Sequence, residues 1–440
     1  MHLQLGQVPT LIVSSPEYAE EILKTQDKIF ASRPSLKVPR LLLYGTRDIA
    51  FAPYGEFWRH IRKITTLHVL SSKRVQSFRR VREETVAHMI QNIRNAAGSP
   101  PGLINLSDIL YAFTTSIIAR VTFREEFLRP GVVEKIRKLI EDNSKLLGRQ
   151  QLEDCFPGHK WLDLFTGLSG RVEKIFHEWD SLFEEAIEDH IRAEGPAVDN
   201  GEQGFIDVLL GLHMDENIKD DVILTREDIK GILQDMFAAG TETSYILLEW
   251  IMAELVKNPN VMNKAKVEIT QIMKGKSTID EDDLDHMVYL RAIIKEALRL
   301  HPPLPLSVPQ ESMEDTMIKN YKIPARTTVI VNLWSIGRDT EHWESPEMFL
   351  PERFIDSPLD YKGLDFQYIP FGGGRRICPG MQFAMIDAKL ALANLIHHFE
   401  WKLPIGLEDM DMSDSPGLTT PRKSRIFVVA TPSKPIKALK

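Results

Sequence analysis

The segment that most constrains the fold of this chain is the decapeptide at positions 371–380, which reads FGGGRRICPG. It places Cys378, one of only two cysteines, among four glycines, with two arginines shortly before it and a helical stretch after it. Glycines let a backbone pass close to a flat cofactor and point its N–H groups at a sulfur atom. The segment is therefore expected to be a loop that presents one thiol to a closely packed partner.

Cys378 has two interpretations, because a free cysteine is often simply a small buried hydrophobe. A cysteine thiolate can also hold a haem iron axially and donate electron density to it. Arg376 then provides a fixed positive charge for a haem propionate, in a forked geometry that suits carboxylates. The spacing of Phe371, Gly374, Arg376, Cys378 and Gly380 resembles the haem-binding signature of the cytochrome P450 family and favours the haem interpretation.

Composition predicts one large unit. The chain has 440 residues, of which 43% are hydrophobic, and it carries neither a glycine- or serine-rich linker nor an internal repeat. We expect a single catalytic domain over residues 1–440. The net charge of −8 is mild, and the absence of a long basic stretch excludes a nucleic-acid partner. Cys155 and Cys378 are too few for a disulfide framework and fit a reducing compartment, with Cys155 expected to serve packing.

The start of the chain predicts β-structure, with alternating and β-branched residues at positions 2–13. No signal peptide is present, and no apolar stretch approaches the roughly 20 residues that a membrane span needs. Plant microsomal P450 enzymes carry an amino-terminal anchor and a hinge before this point. The resemblance thus implies a truncated sequence, whose full-length form lies on the cytosolic face of the endoplasmic reticulum membrane.

A Glu-x-x-Arg pattern at positions 296–299 lies in a stretch whose apolar residues recur at helical spacing. Glu296 and Arg299 are three residues apart, so they share a helix face and can pair. Alone, such a pair is weak evidence. Arg353 follows at the order and distance seen in the P450 family, in which these three residues form a buried charge triad behind the haem. The resemblance implies this role for Glu296, Arg299 and Arg353.

A long helix is predicted from a capping box at Thr225 and Asp228 to just before Pro259. It contains the motif AGTETS at positions 239–244. Gly240, in the middle of this helix, costs about 1 kcal/mol relative to alanine. The expected compensation is a local opening of the helix that admits dioxygen and water.

Thr243 and Glu242 of this motif are the predicted catalytic residues. Cleavage of dioxygen needs two protons, and an acid beside an alcohol is a suitable pair for their delivery. Thr243 is expected to place a hydroxyl beside dioxygen, and Glu242 to relay protons from solvent. The alternative is an ordinary polar helix face with a stray glycine.

Trp58 and Arg62 lie four residues apart in a basic, aromatic segment that resembles the P450 helix whose Trp and Arg bind a haem propionate. Nearby basic residues either form a docking surface for an acidic electron donor or a solvated face; they are Arg59, Lys63, Lys73, Arg74, Arg79 and Arg80. Gln310 departs from the family pattern, because relatives usually carry a propionate-binding arginine there. Glutamine can donate a hydrogen bond but brings no charge.

The resemblance implies a mainly α P450 fold with small β-sheets and haem b between the helix of Thr243 and the loop of Cys378. It also implies a monooxygenase that inserts one atom of O2 into an apolar substrate. Electrons come from NADPH through NADPH-cytochrome P450 reductase. Two alternatives remain: a haem-thiolate isomerase or dehydratase that needs no O2, and an inactive haem-binding paralogue.

The substrate is expected to be a small apolar specialised metabolite, most simply a terpenoid, with a phenylpropanoid, coumarin or indole as the alternative. Mostly apolar residues are expected to face it, although each can equally be plain core. They are Ile232, Asp235, Met236, Ala239, residues 304–308, Leu418 and Thr419.

Overall fold

The structure is a computed structural model. It describes residues 1–98, 102–123, 131–149, 151–159, 161, 167–193, 203–214, 224–274, 276, 278–404 and 409–433.

Helices dominate the described residues, as the sequence predicts. They are α1 (Pro16–Glu20), α2 (Lys37–Leu42), α3 (Glu56–Ile64), α4 (Ser72–Ser77), α5 (Arg79–Ala97), α6 (Leu106–Thr122), α7 (Val132–Leu147), α8 (Leu152–Cys155), α9 (Leu168–Arg192), α10 (Phe205–Met214), α11 (Arg226–Lys257), α12 (Pro259–Met273), α13 (Val288–Leu300), α14 (Leu333–Ile336) and α15 (Met381–His398). Single π-turns continue α1 over Glu21–Thr25 and α3 over Thr65–Val69, and 3₁₀ turns cover Glu281–His286, Pro351–Phe354 and Gly374–Arg376.

The strands of the described residues form small sheets. They are β1 (His2–Leu5), β2 (Val8–Val13), β3 (Leu103–Asn105), β4 (Gln310–Glu311), β5 (Thr316–Ile318), β6 (Tyr321–Ile323), β7 (Thr328–Val331), β8 (Phe399–Lys402) and β9 (Phe427–Pro432). The sheet orders are β1-β2-β7-β4, β3-β9-β8 and β5-β6, with every pair antiparallel except β2 and β7. The predicted strand structure at residues 2–13 is confirmed.

The long helix α11 runs through the main hydrophobic core. Its capping box is present, with the side chains of Thr225 and Asp228 each bonded to the backbone of the other, and it ends at Lys257 before Pro259, as predicted. Both faces of the helix are lined by buried residues, because α6, α7 and α13 pack around it. The packing of these helices therefore fixes the position of the motif at 239–244 within the core.

Gly240 does not open this helix, because Arg226–Lys257 is continuous α-helix. A Cβ atom at position 240 would lie 2.8 Å from Cδ1 of Ile118 on α6. The glycine is therefore explained by the close approach of α6 to α11, and the predicted opening is wrong in this structure. Single-sequence reasoning identified the anomaly but not its cause, which is a packing contact between helices far apart in the chain.

A smaller hydrophobic cluster of the described residues lies under the first sheet and includes Val13, Phe30, Val329 and Ile369. It joins the amino-terminal strands to the segment that precedes Cys378. None of the helices in the described ranges combines the length and the apolar character needed to cross a membrane.

Candidate active site

Cys378 lies in the short loop between the 3₁₀ turn Gly374–Arg376 and helix α15. Its backbone N–H donates to the carbonyl oxygen of Phe371 at 3.0 Å, which closes the loop. The backbone N–H groups of Gly380 and Met381 are directed at the thiol. Burial raises the pKa of the Cys378 thiol, whereas these two N–H groups and the positive charge of Arg62 oppose that effect. The two N–H groups and Arg62 therefore favour the thiolate form of this half-buried cysteine, whereas the removal of its sulfur from water disfavours it.

Gly374 explains why the loop needs glycine. Its φ of +64° lies in the left-handed region, and a side chain there would collide with the carbonyl oxygen of Leu23. Gly372 has a similar φ of +73°, but a Cβ atom there would have open space. The loop therefore lies directly against the π-turn that follows α1, and this contact fixes the position of the next residues, including Arg376 and Cys378.

Arg376 is half-buried and reaches back into the amino-terminal part of the chain. Its Nε donates to the carbonyl oxygen of Ala31 at 2.7 Å and its Nη2 to that of Ala52 at 2.6 Å. Its guanidinium lies 4.1 Å from the ring centre of Trp58, a cation–π contact. The Trp58 indole donates to the carbonyl oxygen of Ile49 at 3.0 Å.

Arg62, four residues after Trp58, donates through Nη2 to the carbonyl oxygen of Ile377 at 2.5 Å. This bond anchors helix α3 to the residue directly before Cys378. The structure therefore brings together Trp58, Arg62, Arg376 and Cys378, the residues that the sequence predicts to bind haem.

Arg33 is a member of this cluster that sequence reasoning missed. It is buried and donates to the carbonyl oxygens of Ala50, Val308 and Pro309 at 2.8–2.9 Å. Burial lowers the pKa of Arg33 to about 10. No motif spacing in the sequence marked this arginine, because its partners come from two segments more than 250 residues apart.

The cluster carries an excess of positive charge. Burial, reinforced by Arg33 and Arg62, lowers the pKa of Arg376 to about 8. The carboxyl group that interacts with Arg33 and Arg376 is that of Asp48, and burial raises its pKa to about 7. Hydrogen bonds from Arg33, Arg62 and Arg376 go to backbone carbonyl oxygens within the described residues. The three guanidinium groups therefore fit a ligand that brings carboxylates of its own.

Gln310 lies beside this cluster, since Arg33 binds the carbonyl oxygen of the preceding residue, Pro309. Gln310 is 7% exposed, and its buried Oε1 has no hydrogen-bond partner among the described residues. Gln310 thus brings an uncharged amide to a position at which the P450 pattern usually has arginine.

Glu296, Arg299 and Arg353 form one buried ion network. Arg299 donates through Nε and Nη2 to the two carboxylate oxygens of Glu296, both at 2.8 Å, and Arg353 Nε lies 3.0 Å from Oε1 of Glu296. The backbone N–H of Leu350 is a fourth donor at 2.8 Å. Arg299 also binds the carbonyl oxygen of Gly337 at 2.6 Å, so the network joins α13 to the segments around residues 337 and 350.

Thr243 and Glu242 lie on α11 but face different partners. The Thr243 hydroxyl donates to the carbonyl oxygen of Ala239 at 2.7 Å within the same helix. The Glu242 carboxylate accepts hydrogen bonds from the hydroxyl groups of Ser144 on α7 and of Thr419, the latter at 3.0 Å. Burial raises the pKa of Glu242. Ser144 was missed by sequence reasoning, since it lies 98 residues before Glu242 in the chain.

The residues expected to face a substrate divide into two groups. Ile232 is fully buried in the main core, and Asp235 accepts hydrogen bonds from the backbone N–H groups of Ile49 at 2.6 Å and Ala50 at 3.2 Å. These two residues therefore serve packing and loop anchoring. Ala239, by contrast, is exposed, although most residues of α11 are buried.

The basic residues considered for electron-donor docking also divide. Arg79 pairs with Glu83 and Asp282, Arg80 approaches Glu84, and Arg74 binds Gln203. The side chains of Arg59, Lys63 and Lys73 are exposed. Arg80 on α5 is exposed as well, but a carboxylate lies near it, so α3 and the start of α4 are the better candidates for a docking surface.

Comparisons with known proteins agree with this geometry. The family model described as Cytochrome P450 matches residues 1–429. The chain is 43% identical over 440 residues to premnaspirodiene oxygenase of Hyoscyamus muticus, with 99% of this chain and 86% of that protein covered. It is 44% identical over 435 residues to cytochrome P450 71A1 of Persea americana, with 97% and 86% covered. A zebrafish cytochrome P450 solved with progesterone superposes with a TM-score of 0.81 at 25% identity, covering 98% of this chain and 96% of that one.

The donor set around Cys378 fits the cofactor of this family. A half-buried thiol with two N–H groups directed at it suits an axial thiolate ligand of iron. Three neighbouring guanidinium groups bonded to backbone carbonyls suit the two carboxylates of the porphyrin. The observed fold is the P450 fold, mainly helical with small sheets. The chain is therefore a haem b monooxygenase that belongs to the cytochrome P450 family.

Proposed function

We propose that this enzyme inserts one oxygen atom from O2 into a small apolar specialised metabolite, with a terpenoid as the first candidate. Electrons are supplied by NADPH through NADPH-cytochrome P450 reductase. The observation that carries the proposal is the loop of the half-buried Cys378, which is closed by the hydrogen bond to Phe371 and joined to Arg62 through the carbonyl oxygen of Ile377. Haem, when bound through this thiol, supplies the activation of dioxygen.

The residues around Cys378 have separate roles in this proposal. Gly380 and Met381 donate to the sulfur and set its electron density, as outer donors commonly do for metal ligands. Arg62 and Arg376 would hold the carboxylates of the cofactor, and Trp58 keeps the Arg376 guanidinium in place through the cation–π contact. Phe371 and Gly374 shape the loop that carries the thiol. Glu296, Arg299 and Arg353 fix the segments behind this loop.

Thr243 and Glu242 are proposed to deliver protons to dioxygen. The Thr243 hydroxyl lies one helical turn from Ala239, on the part of α11 that remains accessible. Thr243→Ala should keep haem and substrate binding but divert NADPH electrons to peroxide. We expect hydrogen peroxide per NADPH to rise and product per NADPH to fall by roughly 10- to 100-fold, in line with the loss of a positioned proton donor. Unchanged coupling would remove Thr243 from proton delivery.

A terpenoid substrate is supported by two observations. Candidate substrate-facing residues that are not fully buried include apolar Ala239, Leu306 and Leu418. One relative is named for the oxygenation of premnaspirodiene. A library of terpenoids, phenylpropanoids, coumarins and indoles, screened for substrate-induced shifts of the haem spin state, tests this choice. A response confined to the aromatic compounds would overturn it.

The reaction itself is tested by turnover of the purified enzyme with reductase, NADPH and ¹⁸O2. The proposal predicts one ¹⁸O atom in the product and no product when either NADPH or O2 is omitted. Product formed without O2 would instead identify an isomerase or dehydratase. A haem-loaded enzyme that consumes no NADPH with any library member would identify an inactive paralogue.

We further propose that residues 1–440 act as one catalytic domain at the cytosolic face of the endoplasmic reticulum membrane. The support is the resemblance to the plant microsomal group and the match of the family model across residues 1–429. Cell fractionation with an endoplasmic reticulum marker, followed by protease protection of the intact vesicles, tests the location. Recovery of the enzyme with another organelle would contradict it.

A further inference from the structure

The Glu242 carboxylate joins three segments that are distant in sequence. Glu242 lies on α11, one of its oxygens accepts from the Ser144 hydroxyl near the end of α7, and the other accepts from the Thr419 hydroxyl at 3.0 Å. The Ser144 hydroxyl also lies 3.1 Å from the carbonyl oxygen of Ile140 on its own helix, a second acceptor for its single proton. By contrast, the neighbouring Thr243 hydroxyl is satisfied within α11 by the carbonyl oxygen of Ala239. Glu242 is thus held by side chains from other segments, whereas the Thr243 hydroxyl is held within its own helix.

Close backbone packing holds two of these segments together. Gly148 follows the last residue of α7, and a Cβ atom there would lie 2.8 Å from Cα of Gly417 and 3.0 Å from the backbone N of Leu418. Backbone atoms cannot move aside as the end of a flexible side chain can. The end of α7 and the loop at 417–419 therefore meet at one fixed spacing, and this spacing brings both hydroxyl groups to Glu242.

The hydroxyl groups of Ser144 and Thr419 affect the protonation of Glu242, because the other influences on its carboxyl group act in the opposite direction. Glu242 is half-buried, and the partial removal of its carboxyl group from water raises the pKa of that group. Glu141 on α7 acts in the same direction, while the hydrogen bonds from Ser144 and Thr419 lower the pKa. Burial raises the pKa of the Tyr111 phenol on α6, and the charge of Glu242 adds to that effect. Among the described groups, the two hydroxyls are the donors that favour ionised Glu242.

We propose that Ser144 and Thr419 are positioning residues that orient the Glu242 carboxyl group for proton delivery. Delivery then depends on α7 and the loop at 417–419 remaining in contact. The inference rests on the proposed role of Glu242 as the proton-relaying acid. The new element is that two segments outside the motif, α7 and the loop at 417–419, hold the Glu242 carboxyl group in its orientation.

The direct test is the titration of Glu242 in haem-loaded enzyme by pH-difference infrared spectroscopy, with Glu242→Gln to identify the band of the protonated carboxyl. Ser144→Ala and Thr419→Val each remove one donor, so the titration midpoint should move to higher pH in both variants. Ser144→Thr retains a hydroxyl and should return the midpoint toward the wild-type value. Thr270→Val is the matched control, because the Thr270 hydroxyl bonds only to the carbonyl oxygen of Lys266 on its own helix. A midpoint unmoved in both donor-removal variants would overturn the proposal.

Coupling measurements separate this inference from the proposed function. Glu242→Gln should lower product per NADPH most, and Ser144→Ala and Thr419→Val should each lower it by a smaller factor, roughly two- to tenfold. If Glu242→Gln leaves coupling unchanged, the relay role itself fails. If Glu242→Gln uncouples but both donor-removal variants couple like wild type, only the positioning role fails.

Gly148→Ala tests the contact between α7 and the loop separately from the two hydroxyl groups. Its new methyl group would push the loop at 417–419 away from α7 without removing either hydroxyl. We expect its infrared midpoint to move in the same direction as that of Thr419→Val. Gly170→Ala is the control, since a Cβ atom there meets nothing within 4 Å. A midpoint that stays at the wild-type value in Gly148→Ala would contradict the dependence on the contact between α7 and the loop.

Discussion

Glu296 shows at the scale of one residue how the site depends on groups that never contact substrate. It is fully buried and accepts hydrogen bonds from Arg299, Arg353 and the backbone of Leu350. A buried ion network is poor evidence of net stability, but removal of one partner leaves the other charges uncompensated. The consequence of losing Glu296 is therefore larger than the net value of the network.

Glu296→Ala should lower the free energy of unfolding by about 3–5 kcal/mol and yield protein that is haem-poor or insoluble. The haem-to-protein ratio and the thermal unfolding of the purified variant measure this. Glu20→Ala is the control, because Glu20 pairs with Lys24 in an exposed i,i+4 contact that is worth at most about 1 kcal/mol. Normal haem content and stability in Glu296→Ala would contradict the structural role of the triad.

Asp48 should make stability depend on pH. Burial raises the pKa of its carboxyl group to about 7 in the folded chain, against about 3.9 in an unfolded one. Between these values the folded state binds more protons than the unfolded state, so the contribution of Asp48 to stability falls as the pH rises from about 4 to about 7. Asp48→Asn removes this titration.

The melting temperature of Asp48→Asn relative to wild type should accordingly increase from pH 4 to pH 7, as differential scanning fluorimetry at fixed ionic strength can measure. The difference between the two proteins reports Asp48 together with Asp235, because burial and then the charge of Asp48 raise the pKa of Asp235. A difference that is constant with pH would show that Asp48 is ionised in the folded state.

At the scale of one element, the loop before Cys378 needs glycine for two reasons, a positive φ and close packing against another segment. Gly372 meets only the first of these requirements, and Gly374 meets both. Gly374 and Gly372 both have positive φ, but only Gly374 also packs against the carbonyl oxygen of Leu23. Gly372→Ala should therefore cost only the conformational strain, about 1–2 kcal/mol. Gly374→Ala should cost clearly more, because the backbone of one of the two segments must move.

The midpoint of haem release during chemical denaturation, measured for both alanine variants, tests this difference. The account predicts a lower midpoint for Gly374→Ala than for Gly372→Ala. Equal midpoints would mean that the contact with Leu23 does not hold the loop in place.

Structural features that depend on residues adjacent in sequence could be predicted, whereas features that depend on contacts between distant segments could not. The capping box at Thr225 and Asp228 and the proline at 259 fix the ends of α11 through interactions within a few residues. The reason for Gly240 was missed, because it depends on Ile118 in another helix. The same limit applies to Arg33 and Ser144, whose partners are brought close only by the fold.

At the scale of the whole molecule, the distribution of positive charge predicts where the electron donor binds. Arg59 and Lys73 are exposed, and α3 connects directly to the cysteine loop through Arg62. An acidic partner is steered to such a surface, and its association rate falls with salt.

Arg59→Glu combined with Lys73→Glu should therefore slow association with the reductase by roughly tenfold or more at low salt. The rate of first-electron transfer at several reductase concentrations measures this. The haem content and the substrate-induced spectral shift should not change. Lys257→Glu is the control, since this exposed lysine lies at the end of α11. A double variant that is reduced as fast as the control would place the docking surface elsewhere.

The central claim for the molecule is that the Cys378 sulfur is the axial ligand of the haem iron, and the absorption spectrum of the ferrous carbon-monoxide complex tests it most directly. The account predicts a red-shifted band for the wild-type protein, which is the mark of thiolate ligation, and loss of that band in Cys378→Ser. Cys155→Ser, which changes the other cysteine of the chain, should retain it. An unaltered red-shifted band in Cys378→Ser would contradict the account.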